Sequence, residues 1–293
     1  MIQDTGEFAS LLTLLEDDDP VVQDCVQKRL YALGHDAVEG MLAEMQVSRD
    51  ASLRKLYRYQ ADSLNYRLRI DELGIFAEHA HKPLSIFEGS FLICSLFDCS
   101  LRHDDFEDLF INCLKEYNAE ASDRRTGYED IRVFNHIFFH RLGFNLYDVE
   151  VSDPEYASVH QTLINRKGNP FTLSLIYLMM AQAAGLPLQL VCFTGGFVLV
   201  YVENGSDIFY VNIYKEGDIF TKANLDIFIR TAGLKVSEDE LKHRDESAIL
   251  PLYLESLLFL FERRNDNEKC GLIESALKCF GTERFLVIEE DEV

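Results

Sequence analysis

GNPFTLSLIYLMMAQAAGLPLQLVCFTGGFVLVYV, residues 168–202, reads as a helix marked at both ends, a turn and a long apolar strand. Asn169 suits an N-cap, because its side-chain oxygen can accept from a free amide in the first turn. Pro170 suits the first helical position, where its missing N–H costs nothing. Leu173, Ile176, Tyr177, Met180, Ala181 and Ala184 recur at helical spacing. Gly185 is a natural stop, and Pro187 follows it. The helix start carries a partial positive charge, which would lower the pKa of a thiol placed there. No thiol occupies that first turn. Thr172 and Ser174 offer hydroxyls, but a hydroxyl needs a nearby base to act as a nucleophile.

After this helix, the run Leu188–Tyr201 is expected as one strand, long and apolar enough to be covered on both faces. A second strand near 207–214 follows Asn204-Gly205, a strong hairpin signal. Before it, helices are expected near 83–99, 104–118, 127–141 and 155–166; another follows near 222–232. A polar, acidic link, SEDELKHRDES (237–247), leads to helices near 247–264 and 266–279.

The segments FNHIFFHRLGF (134–144), DPEYASVHQTLINRKGNPFTLSLIYLMMAQAAGLP (153–187), FTGGF (193–197) and YVNIY (210–214) occur in one order. Together they resemble the SirB-type branch of the transglutaminase-like superfamily, over roughly residues 80–265. The resemblance implies a papain-like layout: Cys at a helix start, His on the next strand, Asp on the strand after. Anchored on the Gly185-Leu186-Pro187 turn, those positions read Pro170, Gly196 and Asn212. The SirB-type branch commonly has Pro at the first but usually reads Gly-His-Phe and Ile-Asp at the others. This chain reads Gly195-Gly196-Phe197 and Val211-Asn212. The resemblance thus implies a scaffold whose three catalytic positions have all changed.

Each position also has a plain reading. Pro170 is a helix-start residue. Gly196 is expected where the backbone needs room or a positive φ. Asn212 could orient an imidazole, as Asn does in papain-like sites, or bond at a strand end. Cys192, four residues before Gly196, is either a displaced nucleophile or a buried apolar thiol. As nucleophile it would need a base from elsewhere, such as His160 or His136. The pairs His79/His81 and His136/His140 have spacings that metals use. The second lacks the Glu of a zinc protease motif and lies among Phe134, Ile137, Phe138 and Phe139. No metal or cofactor is therefore expected, and no phosphate-cradling Gly-rich loop is present.

Residues 1–74 read as helical. Phe8, Leu11, Leu12 and Leu15 line a first helix, and Asp19-Pro20 starts a second. The second places Val21, Val22, Cys25, Val26, Leu30 and Leu33 on one face and ends at Gly34. LLEDDDPVVQDCVQKRLYALG (14–34) resembles a HEAT-type repeat; a plain helical bundle is the alternative. Further helices are expected near 36–47 and 51–72.

Lys and Arg number 28 against 50 Asp and Glu, a formal charge of −22. Such a field repels phosphate backbones and anionic lipid surfaces, so neither nucleic acid nor membrane is an expected partner. No apolar run reaches the ~18 residues of a membrane helix. The N-terminus MIQDTGEFAS has no signal core. The seven Cys, at 25, 94, 99, 113, 192, 270 and 279, form no Cys-x-x-Cys pair, which fits reduced thiols in a cytoplasm.

The expected fold is α+β and mostly helical: a transglutaminase-like core with a small antiparallel sheet, flanked by helical regions. The expected division is 1–74 helical, 75–235 core, 236–282 a helical hairpin and 283–293 an acidic tail. The expected function is a catalytically inactive protein-binding or regulatory module whose partner is another protein. The alternatives are a cysteine-dependent hydrolase or transferase with a relocated nucleophile, or a small-ligand pocket.

Overall fold

The computed structural model describes residues 5–78, 85–120, 122, 124–147, 153–194, 196–244 and 246–281. His79, His81, Gly195 and the tail 283–293 lie outside the described residues. The architecture is α+β and mostly helical, with a small antiparallel sheet. The chain divides into two compact units, residues 1–77 with 92–102, and residues 78–91 with 103–293.

The first unit contains α1 (Thr5–Leu14), α2 (Pro20–Leu33), α3 (His35–Val47), nearly all of α4 (Ala51–Glu78) and the second half of α5 (Ile86–Phe97). Its core gathers Phe8, Leu11, Leu12, Leu15, Val26, Leu30, Ala37, Met41 and Leu64. Helix α2 starts as expected, with the Asp19 side chain accepting from the Val21 N–H and Pro20 at the first turn. Its buried face is narrower than the sequence pattern. Val26 and Leu30 are buried, whereas Val21 is 70 % exposed and Cys25 faces solvent. Both lie one position round the helix from Val22, Val26, Leu30 and Leu33, the stripe that packs in this core. Asn65 is buried in this unit and donates to the Ser95 carbonyl at 2.7 Å, so its burial is compensated.

The second unit begins with the first half of α5 and α6 (His103–Asn118), then α7 (Gly127–Asn135). Thr126 and Glu129 form a capping box at the start of α7. The expected helix to 141 does continue, but as a wider π-turn over His136–Arg141, where the Leu142 N–H reaches the Ile137 carbonyl at 2.8 Å. The wider winding lets Ile137, Phe138 and Phe139 all be buried. Strand β1 (Asn145–Leu146) pairs in parallel with β2 (Lys167–Gly168). Between them lie a 3-10 turn, Pro154–Ala157, and α8 (Val159–Asn165), which restarts at the Ser158 cap.

Helix α9 (Pro170–Ala183) is the centre of this unit. Every residue from Thr172 to Ala181 is buried, so it is apolar on all sides rather than on one stripe. At its end the Leu186 N–H returns to the Ala181 carbonyl, with Gly185 at φ 73°.

The sheet that follows has the order β3 (Leu188–Phe193), β4 (Gly196–Glu203), β5 (Ser206–Asn212) and β6 (Asp218–Phe220), all antiparallel. The single strand expected over Leu188–Tyr201 is a hairpin, with Phe193 opposite Gly196. Continuous hydrophobicity hid the turn, because both strands are buried on both faces. One face carries Val191, Phe193, Val198, Val200 and Tyr210 against Leu225 and Ile229 of α10 (Lys222–Thr231). Helices α11 (Glu246–Arg263) and α12 (Asn267–Cys279) pack on each other and complete the unit. The buried Tyr253 hydroxyl of α11 donates to the Ala157 carbonyl at 2.9 Å and accepts from the Val159 N–H at 3.1 Å. Among the described residues, no helix is long and apolar enough to cross a membrane.

Candidate functional site

The start of α9 is held from two sides. The Asn169 side chain accepts from the Thr172 N–H at 2.8 Å, and the Asn169 N–H donates to the Tyr156 carbonyl at 2.7 Å. Pro170 takes the first helical position. The hydroxyls of Thr172 and Ser174 are buried and donate to the carbonyls of Ala157 (3.0 Å) and Pro170 (2.9 Å). Both donor protons are therefore committed to backbone acceptors.

The immediate neighbours of the three implied catalytic positions meet. Phe171 packs edge-on against Phe197, ring centres 5.3 Å apart, and Phe197 lies 5.6 Å from Tyr214. An aromatic line thus joins the α9 start, the β4 start and the turn after β5. Tyr214 is 49 % exposed, yet the protein around its phenol raises the pKa.

Strand alternation decides where side chains at these positions start. Cys192 stands opposite Phe197, and Phe197 meets Phe171 of α9. Gly196 has the opposite parity and stands across from Phe193, part of the layer against α10. Asn212 shares the parity of Tyr210, also in that layer. A Cβ on Gly196 would lie 3.4 Å from the Phe193 ring, an ordinary contact, and Gly196 is not among the residues at positive φ. The expectation that Gly196 serves room or a positive φ is therefore wrong. The glycines with those demands lie elsewhere, Gly217 above all. The Asn212 side chain accepts from the Tyr214 N–H at 2.9 Å, capping the short turn Ile213–Lys215. At the three positions the chain presents a pyrrolidine, a hydrogen and a carboxamide, none of which ionises near neutral pH.

Cys192 lies on β3, and Gly196 on β4, not on one strand as the sequence suggests. The thiol is 7 % exposed, and burial pushes its pKa up to about 12 against a smaller pull from Arg244. It is a thiol, not a thiolate, at neutral pH. The charged group acting on it is a guanidinium, not an imidazole. His160 lies on α8, its ring 6.3 Å from Phe106. His136 and His140 sit on the π-turn with ring centres 5.5 Å apart. Among the described residues, no group of three or more His, Cys, Asp or Glu is arranged to hold a metal.

Two further features escaped the sequence reading. The Tyr177 hydroxyl, wholly buried in α9, donates to Asn135 Oδ1 at 2.7 Å, and Asn135 Nδ2 donates to the Gly217 carbonyl at 2.6 Å. The Gly217 N–H in turn donates to the Asn212 carbonyl at 2.9 Å. The one available signal was an amide inside an aromatic run, Phe134-Asn135-His136-Ile137-Phe138. The second feature is the described part of the acidic link, residues 237–244, which forms a strap on the free edge of β3. His243 bridges to Val191, the Arg244 N–H donates to the Leu190 carbonyl at 2.8 Å, and Arg244 Nη2 donates to the Cys192 carbonyl at 3.0 Å. Glu240 accepts from the N–H and hydroxyl of both Thr194 and Ser237. Its polar composition conceals this role because most of its bonds to the sheet run through backbone and charge, with Leu241 packed on the core of the sheet.

Residues 107–252, from within α6 into α11, match the transglutaminase-like superfamily. This span is a transglutaminase-like domain. The chain is 23 % identical to F-box only protein 21 of Homo sapiens over 257 residues, covering 76 % of this chain and 40 % of the relative. The Pongo abelii protein of the same name is matched at the same identity, over 41 % of its length. The chain thus spans about two fifths of the length of these curated relatives. A UPF0162 protein of Xylella fastidiosa is 34 % identical over 65 residues, 22 % of this chain and 23 % of the relative. No solved structure matches significantly. In the transglutaminase-like domain, α9, β4 and the short turn Ile213–Lys215 after β5 carry the aromatic line.

Proposed function

We propose that this chain is a catalytically inactive transglutaminase-like protein of the SirB type, and that it acts as a protein-binding or regulatory module. The observation that carries this is the replacement of three ionisable positions by Pro170, Gly196 and Asn212, with the elements around them still joined through Phe171, Phe197 and Tyr214. A thiol pushed to about 12 at Cys192 supports the same reading over a relocated nucleophile. The partially exposed aromatic line, within a chain of formal charge −22, suits a partner that carries aromatic or cationic side chains. The helices of residues 1–74 fit a HEAT-like brace, the division at 75–235, 236–282 and 283–293 completes the reading, and a cytoplasmic setting fits seven free thiols.

The test has two arms. Amine incorporation and thioester or amide hydrolysis are assayed with the full chain and with Cys192→Ala. Turnover abolished by Cys192→Ala would sink the inactive reading. Partner capture is then compared between the full chain, a Phe171→Ala/Tyr214→Ala variant and a control variant at exposed Val47. A partner lost only with the aromatic variant supports the module. Capture indifferent to that variant moves the binding surface away from this site.

A further inference from the structure

A cavity of about 850 Å³ lies beside the far end of α9, away from the aromatic line. Pro187 and Leu241 supply the accessible apolar wall, with Leu178 and Leu186 almost wholly buried behind it. Three consecutive bases, Lys242, His243 and Arg244, supply the strap side. In a chain with 50 acidic residues against 28 Lys and Arg, this concentration of bases on one cavity is out of keeping with the composition. The acid on the lining, Asp207, is already engaged. One of its oxygens meets His243 Nε2 at 2.6 Å, and the other accepts from the Tyr210 hydroxyl at 2.8 Å.

Arg244 spends one Nη2 N–H on the Cys192 carbonyl, while its buried Nε has no hydrogen-bond partner. Lys242 pairs with Asp239 at 2.6 Å, but that pair is exposed, at 74 % and 85 %, and weakly bound to one geometry. At the nearby end of α9, the N–H groups of Gly185 and Leu186 bond to the Gln182 and Ala181 carbonyls, so two of the acceptors there are already engaged. The volume falls in the range of small-molecule sites, and such sites combine apolar wall with a few convergent polar groups.

We propose that this cavity binds a small carboxylate carried on an alkyl chain. The carboxylate meets Arg244 and Lys242, and the chain lies along Pro187 and Leu241. A guanidinium offers planar, paired N–H donors that match a carboxylate. This site is separate from the aromatic line and stands or falls independently of it.

The probes are butanoate, hexanoate, octanoate and inorganic phosphate, titrated into the full chain by calorimetry and ligand-observed NMR. Octanoate should bind saturably at 1:1, and each added methylene should tighten binding by about threefold as apolar area is covered. Arg244→Gln should weaken octanoate at least tenfold. Since that variant could loosen the strap, Lys242→Glu serves as the second, its side chain being exposed; it should weaken binding severalfold without changing the far-UV spectrum. Absence of saturable octanoate binding overturns the proposal, as does equal binding by both variants. Phosphate bound as tightly as octanoate also overturns it, since the apolar wall would then contribute nothing.

Discussion

The Tyr177 hydroxyl donates to Asn135 Oδ1 at 2.7 Å, while the same amide donates from Nδ2 to the Gly217 carbonyl at 2.6 Å. One side chain thereby ties the central helix α9 to α7 and to the turn that follows β5. Gly217 also returns its N–H to the Asn212 carbonyl, so the end of β5 is fixed to α9 through three polar links.

Removing the hydroxyl tests this tie. Tyr177→Phe leaves the half-buried Asn135 Oδ1 without its donor, and an unsatisfied acceptor costs up to about 1–3 kcal/mol when water cannot replace the lost partner. Urea denaturation should show that loss with an unchanged m-value. Asn135→Ala should cost more, because it orphans both the Tyr177 hydroxyl and the Gly217 carbonyl.

Gly217 is the glycine with the strictest demand. Its φ is +78°, and a Cβ there would sit 2.1 Å from Asn135 Oδ1. Gly217→Ala should destabilise by more than the roughly 1–3 kcal/mol of a strained left-handed residue, since Asn135 must also leave its partners. Gly196→Ala, with only a 3.4 Å contact to Phe193, should change stability by less than about 0.5 kcal/mol. Thermal melts of the pair decide between the two accounts of glycine in this sheet.

The helix start and the strand thiol should differ sharply in reactivity. A cysteine introduced by Pro170→Cys stands at the first position of α9, where the helix field favours the thiolate, and its pKa should fall below the ordinary ~8.5. Native Cys192, buried and pushed up to about 12, should stay unalkylated at pH 8 until the chain unfolds. Mass-resolved iodoacetamide labelling against pH reads both. Rapid native labelling of Cys192 would contradict its described burial.

The strap should loosen in acid. Hydrogen bonds from Thr194 and Ser237 hold the Glu240 carboxyl down to about 2, against an ordinary value of 4.5. A carboxyl depressed in the folded state contributes its stability in full above the unfolded value, and loses it as pH falls through the folded value. Protection of the Thr194 and Ser237 amides, their exchange taken relative to the unfolded chain at the same pH, should therefore fall between pH 4.5 and about 2. Glu240→Gln should remove that pH dependence and leave both amides fast at neutral pH.

Legibility in the sequence followed the range of the interactions. The caps at Asp19, Asn169 and Thr221 act within three residues, and the side chains at 19 and 169 lie where the pattern put them. The stop at Gly185 is equally local. Helix α9, buried on every side, was legible from the signals at its two ends rather than from a stripe. Periodicity failed at Val21 and Cys25, where the pattern is apolar but no neighbour covers it. It failed again at Thr194, where two buried strands read as one.

The sequence by itself determined the helices, the order of the elements and the non-ionisable residues at positions 170, 196 and 212, because residue identity and local backbone preference need no distant partner. Only the tertiary structure decided that Phe171, Phe197 and Tyr214 meet, that Gly196 has the parity of the α10 layer, that Asn135 bridges Tyr177 and Gly217, and that the acidic link binds the edge of β3. Each of these depends on strand parity or on groups tens of residues apart. Pairing register and chain reversal set them, and neither is written in any local pattern.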